Sequence, residues 1–282
     1  MRQPGTQDVP GRASGTGDRP ISTRRATSGR VVGIDVGGSG IKGAPVDLSV
    51  GRFATDRVRL PTPRPATPDR VADVVAEVLD HLDVAGPVGV TLPAVVADGV
   101  VETAANIDPS WLGVHAVELF GRATGRPVGV LNDADAAGIA EMRYGAGKGR
   151  GGVVVVVTLG TGIGTAVFSD GVLVPNTELG HLPLHHGDAE DWVAESVRER
   201  EDLSWKHYAH RLQHYLELVQ RLLWPRLIVI GGGVSRKAEK FLPHIELRTE
   251  VVPARLHNDA GIVGAALFAP LSLGRPAAVP AP

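Results

Sequence analysis

The sequence predicts a mixed α/β protein built from two related lobes, on three observations. Short β-branched runs bounded by Gly or Pro alternate with amphipathic stretches at helical spacing. A unit of strand, Gly-rich turn and return strand occurs twice, near residue 37 and near residue 161. The 282 residues, 43% of them hydrophobic, suffice for one large domain or two modest ones.

Each element follows from local pattern. Residues 1–29 have Val9 and Ile21 as their only strong aliphatics. They bury too little to offset ordering entropy and are expected to be a disordered tail. Their five Arg against two Asp would suit a nucleic-acid arm, but the charges are scattered. Arg30–Val36 reads as a buried strand, followed by a Gly turn and a return strand near Ile41–Asp47. Thr67–Leu82 reads as a helix, with Val71, Val74, Val75, Val78, Leu79 and Leu82 on one face. Thr67 can cap it, and Pro68 suits its first position. Val88–Leu92 and Val128–Leu131 read as short strands, and Ala134–Met142 as a helix ended by Gly145.

The second half repeats the opening device with strand Val153–Leu159, turn Gly160–Gly164 and return strand Thr165–Phe168. Ser204–Leu223 reads as a long helix. Its core stripe is Tyr208, Leu212, Tyr215 and Val219; His210, His214, Glu217 and Arg221 form the polar face, a solvated surface or an oligomer contact. Leu227–Ile230 is a strand ending in Gly231–Gly233, and Gly261–Phe268 a closing helix. Residues 271–282, rich in Pro and Ala, form a second expected tail.

Composition excludes several classes. With no cysteine there is no disulfide framework, thiolate nucleophile or Cys-based zinc site, and a reducing cytoplasm fits. The longest aliphatic run, Val153–Val157, is far short of the roughly 20 residues that span a bilayer. No apolar h-region marks a signal peptide, so neither membrane nor export is expected. Formal net charge is −2, which argues against a general nucleic-acid binder while leaving room for a local basic groove.

Three Gly-rich turns end three apolar strands: Asp35 through Lys42, Thr158 through Gly164, and Gly231–Gly233. Glycine lets backbone N–H groups point at an anion with no Cβ in the way. Ser39, Thr158 and Thr161 add hydroxyl donors, Lys42 offsets phosphate charge, and Asp35 can hold a hydrated Mg²⁺. None is a Walker A or G-x-G-x-x-G motif. Each alone is most simply a structural hairpin; the three together point to phosphate.

Asn132-Asp133-Ala134-Asp135 follows a strand and opens a helix. Read locally, one of these residues is an N-cap; the alternative puts a base at the C-terminal end of a strand, where α/β sheets bind ligands. Glu178 and His181, with Glu190 downstream, suit sugar hydroxyls, since a carboxylate accepts from two at once. A zinc reading with His185 and His186 lacks a recognised spacing, and these two fit a plain surface better. Basic residues at Lys148 and Arg150, and at Arg236, Lys237 and Lys240, are either ordinary surface or a polyanion track.

The order of these motifs resembles the ROK family of sugar kinases and repressors, across residues 30–270. Three stretches, Pro175–His181, Glu201–Trp205 and Gly231–Pro243, are similar to a polyphosphate-using subgroup of that family. The resemblance implies two ribonuclease-H-like lobes of the actin and hexokinase type around a cleft. Residues 30–132 would form the smaller lobe, closed by a helix at 259–270, and residues 133–258 the larger one. Many ROK proteins carry a Cys-rich zinc loop after Glu-x-x-His; here His186-Gly187-Asp188-Ala189-Glu190 replaces it, so no structural zinc is expected.

The resemblance also implies roles. Asp133 is the base toward the 6-hydroxyl of glucose, and Asn106, Asn132, Glu178, His181 and Glu190 bind the sugar. Gly37, Gly38, Ser39, Gly40 and Lys42 hold donor phosphates, with Thr158, Gly160, Thr161, Gly162, Gly232 and Gly233 and with Mg²⁺ near Asp35. The donor is inorganic polyphosphate, ATP or both, and Lys148, Arg150 and Lys240 are candidates for a polyphosphate track. With a free Asp near pKa 3.9, Asp133 would act by position more than by basicity. The expected partners are glucose and polyphosphate, without nucleic acid or membrane, in a cytoplasmic homodimer. The rivals are an ATP-only ROK hexokinase for glucose, mannose or fructose, a ROK repressor, and a sugar-binding regulator without activity. A repressor needs a helix-turn-helix segment, and the residues before the first strand lack the periodicity for one.

Overall fold

The computed structural model describes residues 30–105 and 107–272. It opens with a hairpin of β1 (Arg30–Gly37) and β2 (Gly40–Asp47), in which Gly37 faces Gly40 and Asp35 faces Lys42. Two short strands, β3 (Arg52–Phe53) and β4 (Val58–Leu60), pair with β2. Helix α1 (Pro68–Leu82) leads to β5 (Val88–Leu92). A small hairpin, β6 (Val96–Ala97) and β7 (Val100–Val101), and helix α2 (Ala116–Thr124) lead to β8 (Val128–Asn132).

Helix α3 (Asp133–Tyr144) then crosses to a second sheet, which starts with β9 (Val153–Leu159), β10 (Ile163–Ser169) and β11 (Val172–Val174). A hairpin of β12 (Pro183–Leu184) and β13 (Gly187–Asp188) precedes the short helices α4 (Glu190–Val193) and α5 (Glu195–Arg200). The long helix α6 (Trp205–Leu223), β14 (Leu227–Gly231), β15 (Glu250–Pro253) and helix α7 (Ala260–Ser272) complete the chain.

The two sheets share one topology. Their strand orders are β3-β2-β1-β5-β8 and β11-β10-β9-β14-β15. In each, the first three strands run antiparallel and two parallel strands extend the other side. The doubled strand–turn–strand unit of the sequence is thus the first part of a doubled fold.

Between the sheets lie α7, packed on β1, β5 and β8, and α3, packed on α7 and on β9 and β10. Gly33 and Gly89 permit the close approach of α7: a Cβ on either would stand 1.8 Å from a carbonyl oxygen, of Ile262 and Ala265 respectively. The outer face of the first sheet is covered by α1 and α2, around Val71, Val75, Phe120 and Trp111. On the second sheet the cover is α6, through Tyr208, Leu212, Tyr215 and Leu216. The buried positions of α1 are Val71, Ala72, Val75, Val78 and Leu79, with Val74 and Leu82 partly buried beside them.

Some local expectations need correction. Thr67 occupies the cap position of α1, but its side chain makes no capping hydrogen bond. Helix α2 and the β6–β7 hairpin were not legible, because two-residue strands and a nine-residue helix carry too few periods to register. Helix α7 includes residues 271 and 272, expected in the tail: Ser272 Oγ donates to the Ala269 carbonyl at 2.9 Å and closes the last turn. Both expected tails, residues 1–29 and 273–282, otherwise lie outside the described residues. Among the described residues no helix is long and apolar enough to cross a membrane.

Candidate active site

The site is built around the head of α3. Asn132 caps it: its Oδ1 accepts from the Ala134 and Asp135 amides at 2.8 and 3.1 Å, and its Nδ2 donates to the Ala94 carbonyl at 3.2 Å. The neighbouring carboxyl is thereby left without a capping role beyond its own turn, where Asp133 accepts from the Ala134 amide at 2.9 Å. Burial, and then the charge of Asp35, push the Asp133 carboxyl up to about 7; the Ala134 amide partly opposes this and Glu178 adds to it. That corrects the expectation of a weak base near the free value. A carboxyl titrating near neutrality has its basicity matched to the working pH.

Two residues downstream, Asp135 accepts from the Asn176 backbone at 2.8 Å, and burial pushes it too up to about 7. Asn176 exchanges two side-chain hydrogen bonds with the Val96 backbone, at 3.0 and 3.1 Å. Asp135 and Asn176 therefore join the head of α3 to the β6–β7 hairpin and to the segment carrying Glu178. Both stand in motifs read from the sequence, but neither was assigned this role, because their partners lie in distant segments.

Beyond them Glu178, His181, Asp188 and Glu190 converge. His181 Nδ1 lies 2.7 Å from Asp188, while Nε2 is 3.7 Å from Glu178 and Nδ1 3.9 Å from Glu190. The hydrogen bond to Asp188 raises the His181 pKa; burial opposes it and the surrounding carboxylates reinforce it. Burial raises Glu178, with His181 pulling it down and Glu190 pushing it up. Glu190 also accepts from the Ile163 amide at 3.1 Å, which ties it to the second Gly turn. Asp188 was overlooked because its segment was read for missing cysteine; its detectable signal was a carboxylate two residues before Glu190. His185 packs on Trp192, with ring centroids 3.9 Å apart, and takes no part in this cluster. Asn106, expected on the same sugar side, lies outside the described residues.

The first Gly turn, Gly37 to Gly40, carries a charged pair beneath it. Asp35 accepts from the Thr91 hydroxyl at 3.0 Å and stands 3.6 Å from Lys42 Nζ. Arg59, not found from sequence, donates to the Ser39 carbonyl at 3.1 Å and flanks Gly40. A single carboxylate beside a phosphate turn suits Mg²⁺, which keeps most of its waters and takes the rest of its ligands from substrate phosphates.

In the second turn, Ser196 donates to the carbonyls of Gly160 and Thr161 at 3.0 and 2.6 Å, through its amide and hydroxyl. The turn lies against the head of α3: a Cβ on Gly164 would meet Thr158 Oγ1 at 2.6 Å and Ala134 Cβ at 2.7 Å. At the third turn the Glu195 carboxylate would stand 3.0 Å from a Cβ on Gly233. Burial raises its pKa, and Lys237 and Arg198 beside it pull the other way.

The basic candidates separate. Helix α3 carries the chain about 18 Å from Asp133 before Lys148 and Arg150 follow it. Arg150 forms a two-pronged pair with Glu250, at 2.9 and 3.1 Å, at the start of β15 and so at the far end of the sheet from the Gly turns. Arg150 is thus held by a carboxylate at the end of the second sheet away from the Gly turns. Lys240 lies on the Gly-turn side, 5.8 Å from the Trp205 ring, which Lys237 and Arg198 also face at 5.6 and 4.3 Å.

Residues 31–191 match the model of the ROK family. The chain belongs to the ROK family. Within that family it is 52% identical to the polyphosphate glucokinase of Mycobacterium tuberculosis over 254 residues, which cover 89% of this chain and 96% of the relative. It is 47% identical to the polyphosphate glucokinase of Mycobacterium leprae, over 93% of this chain and 80% of the relative. Its fold superposes on the crystal structure of the inorganic polyphosphate/ATP-glucomannokinase from Arthrobacter sp. strain KM with a TM-score of 0.84 and 50% identity. That match covers 86% of this chain and 99% of the other. The doubled sheet is therefore the ROK kinase architecture, two lobes with α3 and α7 between them.

Proposed function

We propose that this ROK protein is a polyphosphate glucokinase, transferring the terminal phosphoryl group of inorganic polyphosphate, or the γ-phosphoryl of ATP, to the 6-hydroxyl of glucose. The observation that carries the reading is the Asp133 carboxyl. It is free of the cap that its neighbour Asn132 supplies, is raised to about 7, and lies between the Gly turns and the Glu178–His181 cluster. Its similarity to polyphosphate glucokinases over nearly their whole length supports the donor.

In the reaction the glucose 6-hydroxyl gives its proton to Asp133, and its oxygen bonds to the terminal phosphorus as the bridging P–O bond breaks. The products are glucose 6-phosphate and a polyphosphate one unit shorter. The transition state is loose, so alignment and charge neutralisation do most of the work. Glu178, His181 and Glu190 hold sugar hydroxyls, helped by Asn132 and Asn106; Asp188 holds the imidazole of His181 in place. The amides of the 37–40 and 160–162 turns and Lys42 hold the donor. Mg²⁺, held through water by Asp35, would neutralise charge on the donor oxygens. Closure of the two lobes keeps water from taking the phosphoryl group.

The test is a glucose 6-phosphate assay with Mg²⁺, comparing polyphosphate with ATP at matched phosphoryl concentration. Preference for polyphosphate supports the reading. Turnover with ATP alone makes the protein an ATP-only ROK hexokinase, and glucose turnover with neither donor removes the proposal.

A further inference from the structure

Two adjoining cavities open along the edge of the first sheet, where the β2–β4 region meets the segments after β14 and before α7. One, of about 580 Å³, is lined by Arg52, Arg236, Arg255 and His257. The other, of about 840 Å³, is lined by Arg57 and again by Arg236, which joins the two. Four arginines thus face two carboxylates, Asp56 and Asp259. Asp259 is paired with Arg57 at 3.4 Å. Among the described residues no carboxylate lies within 4.0 Å of the guanidinium groups of Arg52, Arg236 or Arg255. All three are exposed. This excess of positive charge stands on a chain whose formal net charge is −2, so it is a local arrangement and not a reflection of composition.

The strip adjoins the first Gly turn on one side and the Gly232 turn on the other. On one side, the β2–β4 register sets Arg59 opposite Lys42, and Arg59 reaches Ser39; Arg57 lies two residues further along the same chain. On the other, His257 Nδ1 lies 3.4 Å from Ser235 Oγ, which donates to the Gly232 carbonyl at 2.7 Å. Four residues after His257, Gly261 packs on Asp35: a Cβ there would stand 3.3 Å from the Asp35 carboxyl. Strand β2, whose eight residues span roughly 24 Å, runs from the turn to the end where the backbone of Arg52 on β3 stands opposite that of Asp47.

A spaced row of four exposed arginines, of which only Arg57 has a carboxylate within 4.0 Å among the described residues, suits a linear polyanion. We propose that this strip, Arg57, Arg236, Arg255 and Arg52, binds the distal part of the polyphosphate chain while its terminal unit reacts at Asp133. The proposal rests on the polyphosphate reading above and deepens it. It assigns long-chain preference to a surface separate from the transfer site, one that ATP and short oligomers do not reach. Each internal phosphoryl unit carries a negative charge, and its pairing with arginine is solvent-exposed and screened by salt.

The test compares Arg236→Ala and the double variant Arg52→Ala/Arg255→Ala with wild type on long-chain polyphosphate, tripolyphosphate and ATP. The expected result is a rise of about tenfold in KM for the long chain in the double variant, with kcat and both short-donor KM values unchanged. The slope of log KM against log salt should flatten by about 1 for each phosphate-binding arginine removed. Arg236→Lys should recover part of the loss, and Arg122→Ala, on α2 at the outer face of the first sheet, should show none. An unchanged long-chain KM overturns the proposal, as does an equal loss with tripolyphosphate and ATP or an equal effect of Arg122→Ala. Retention of labelled long-chain polyphosphate on a filter separates this proposal from the catalytic reading. Wild-type retention that the double variant loses supports the strip even if turnover uses ATP alone, and wild-type failure to retain the polymer overturns it.

Discussion

Replacing Asp133 by Asn should make the protein inactive and more stable at once, because the same buried charge underlies both properties. The raised pKa means that ionised Asp133 is held at a free-energy cost in the folded state. A shift from 3.8 to about 7 corresponds to roughly 4 kcal/mol at the 1.36 kcal/mol per unit of linkage. The carboxyl is partly exposed, and solvent in the cleft reduces this to about 2–4 kcal/mol. The pH dependence has a definite sign. The unfolded chain loses this proton near 3.8 and the folded chain keeps it to about 7, so the native state binds more protons between those values. Wild type therefore loses stability as pH rises through that window, and Asp133→Asn does not lose this contribution. Below pH ~4 the two should melt together; above about 7 the variant should melt several degrees higher. Its kcat should fall by about 10² to 10⁴, the usual worth of a general base, while calorimetry still detects glucose binding. Near-normal kcat would refute Asp133 as the base, and a stability difference already complete at pH ~3.5 would refute the buried-charge account.

Wild-type kcat/KM should fall about tenfold per unit as pH drops below about 7, and a plateau down to pH 5 would place the base elsewhere. Asp188→Asn should lower the His181 pKa, visible by NMR titration of its imidazole, and raise the glucose KM more than it lowers kcat. An unchanged His181 titration would show that Asp188 does not set it. Gly264→Ala should destabilise the protein by about 1–3 kcal/mol or more in urea unfolding, because its Cβ would stand 1.8 Å from the Ala136 carbonyl. A neutral result there would mean that α3 and α7 can separate without loss.

Much of the site was legible because it lies in short motifs. Asp35 and Lys42 flank a Gly turn, and hairpin register alone pairs them across it. Glu178 and His181 are three residues apart in a tight helical turn, close enough to meet without help from the fold. Asn132 and Asp133 were visible together, but local pattern could not say which would cap. Other features were out of reach: Arg59 gains meaning from strand pairing with Lys42, the hydrogen bond of Asp135 from the Asn176 backbone 41 residues later, and Glu195 from the Gly233 turn beside it. Lys148 and Arg150 cluster in sequence, but only the fold shows that Glu250, a hundred residues later, holds Arg150.

The sequence by itself determined the longer strands of both sheets, the longer helices, the doubled hairpin and the family, because apolar period and glycine placement act over a few residues. Tertiary structure decided which carboxyl is free, how basic it is and where the cations line up. Those properties depend on burial and on charges brought together by distant segments. Asp35, Asp133 and Glu178 influence one another only after two sheets have closed around α3 and α7.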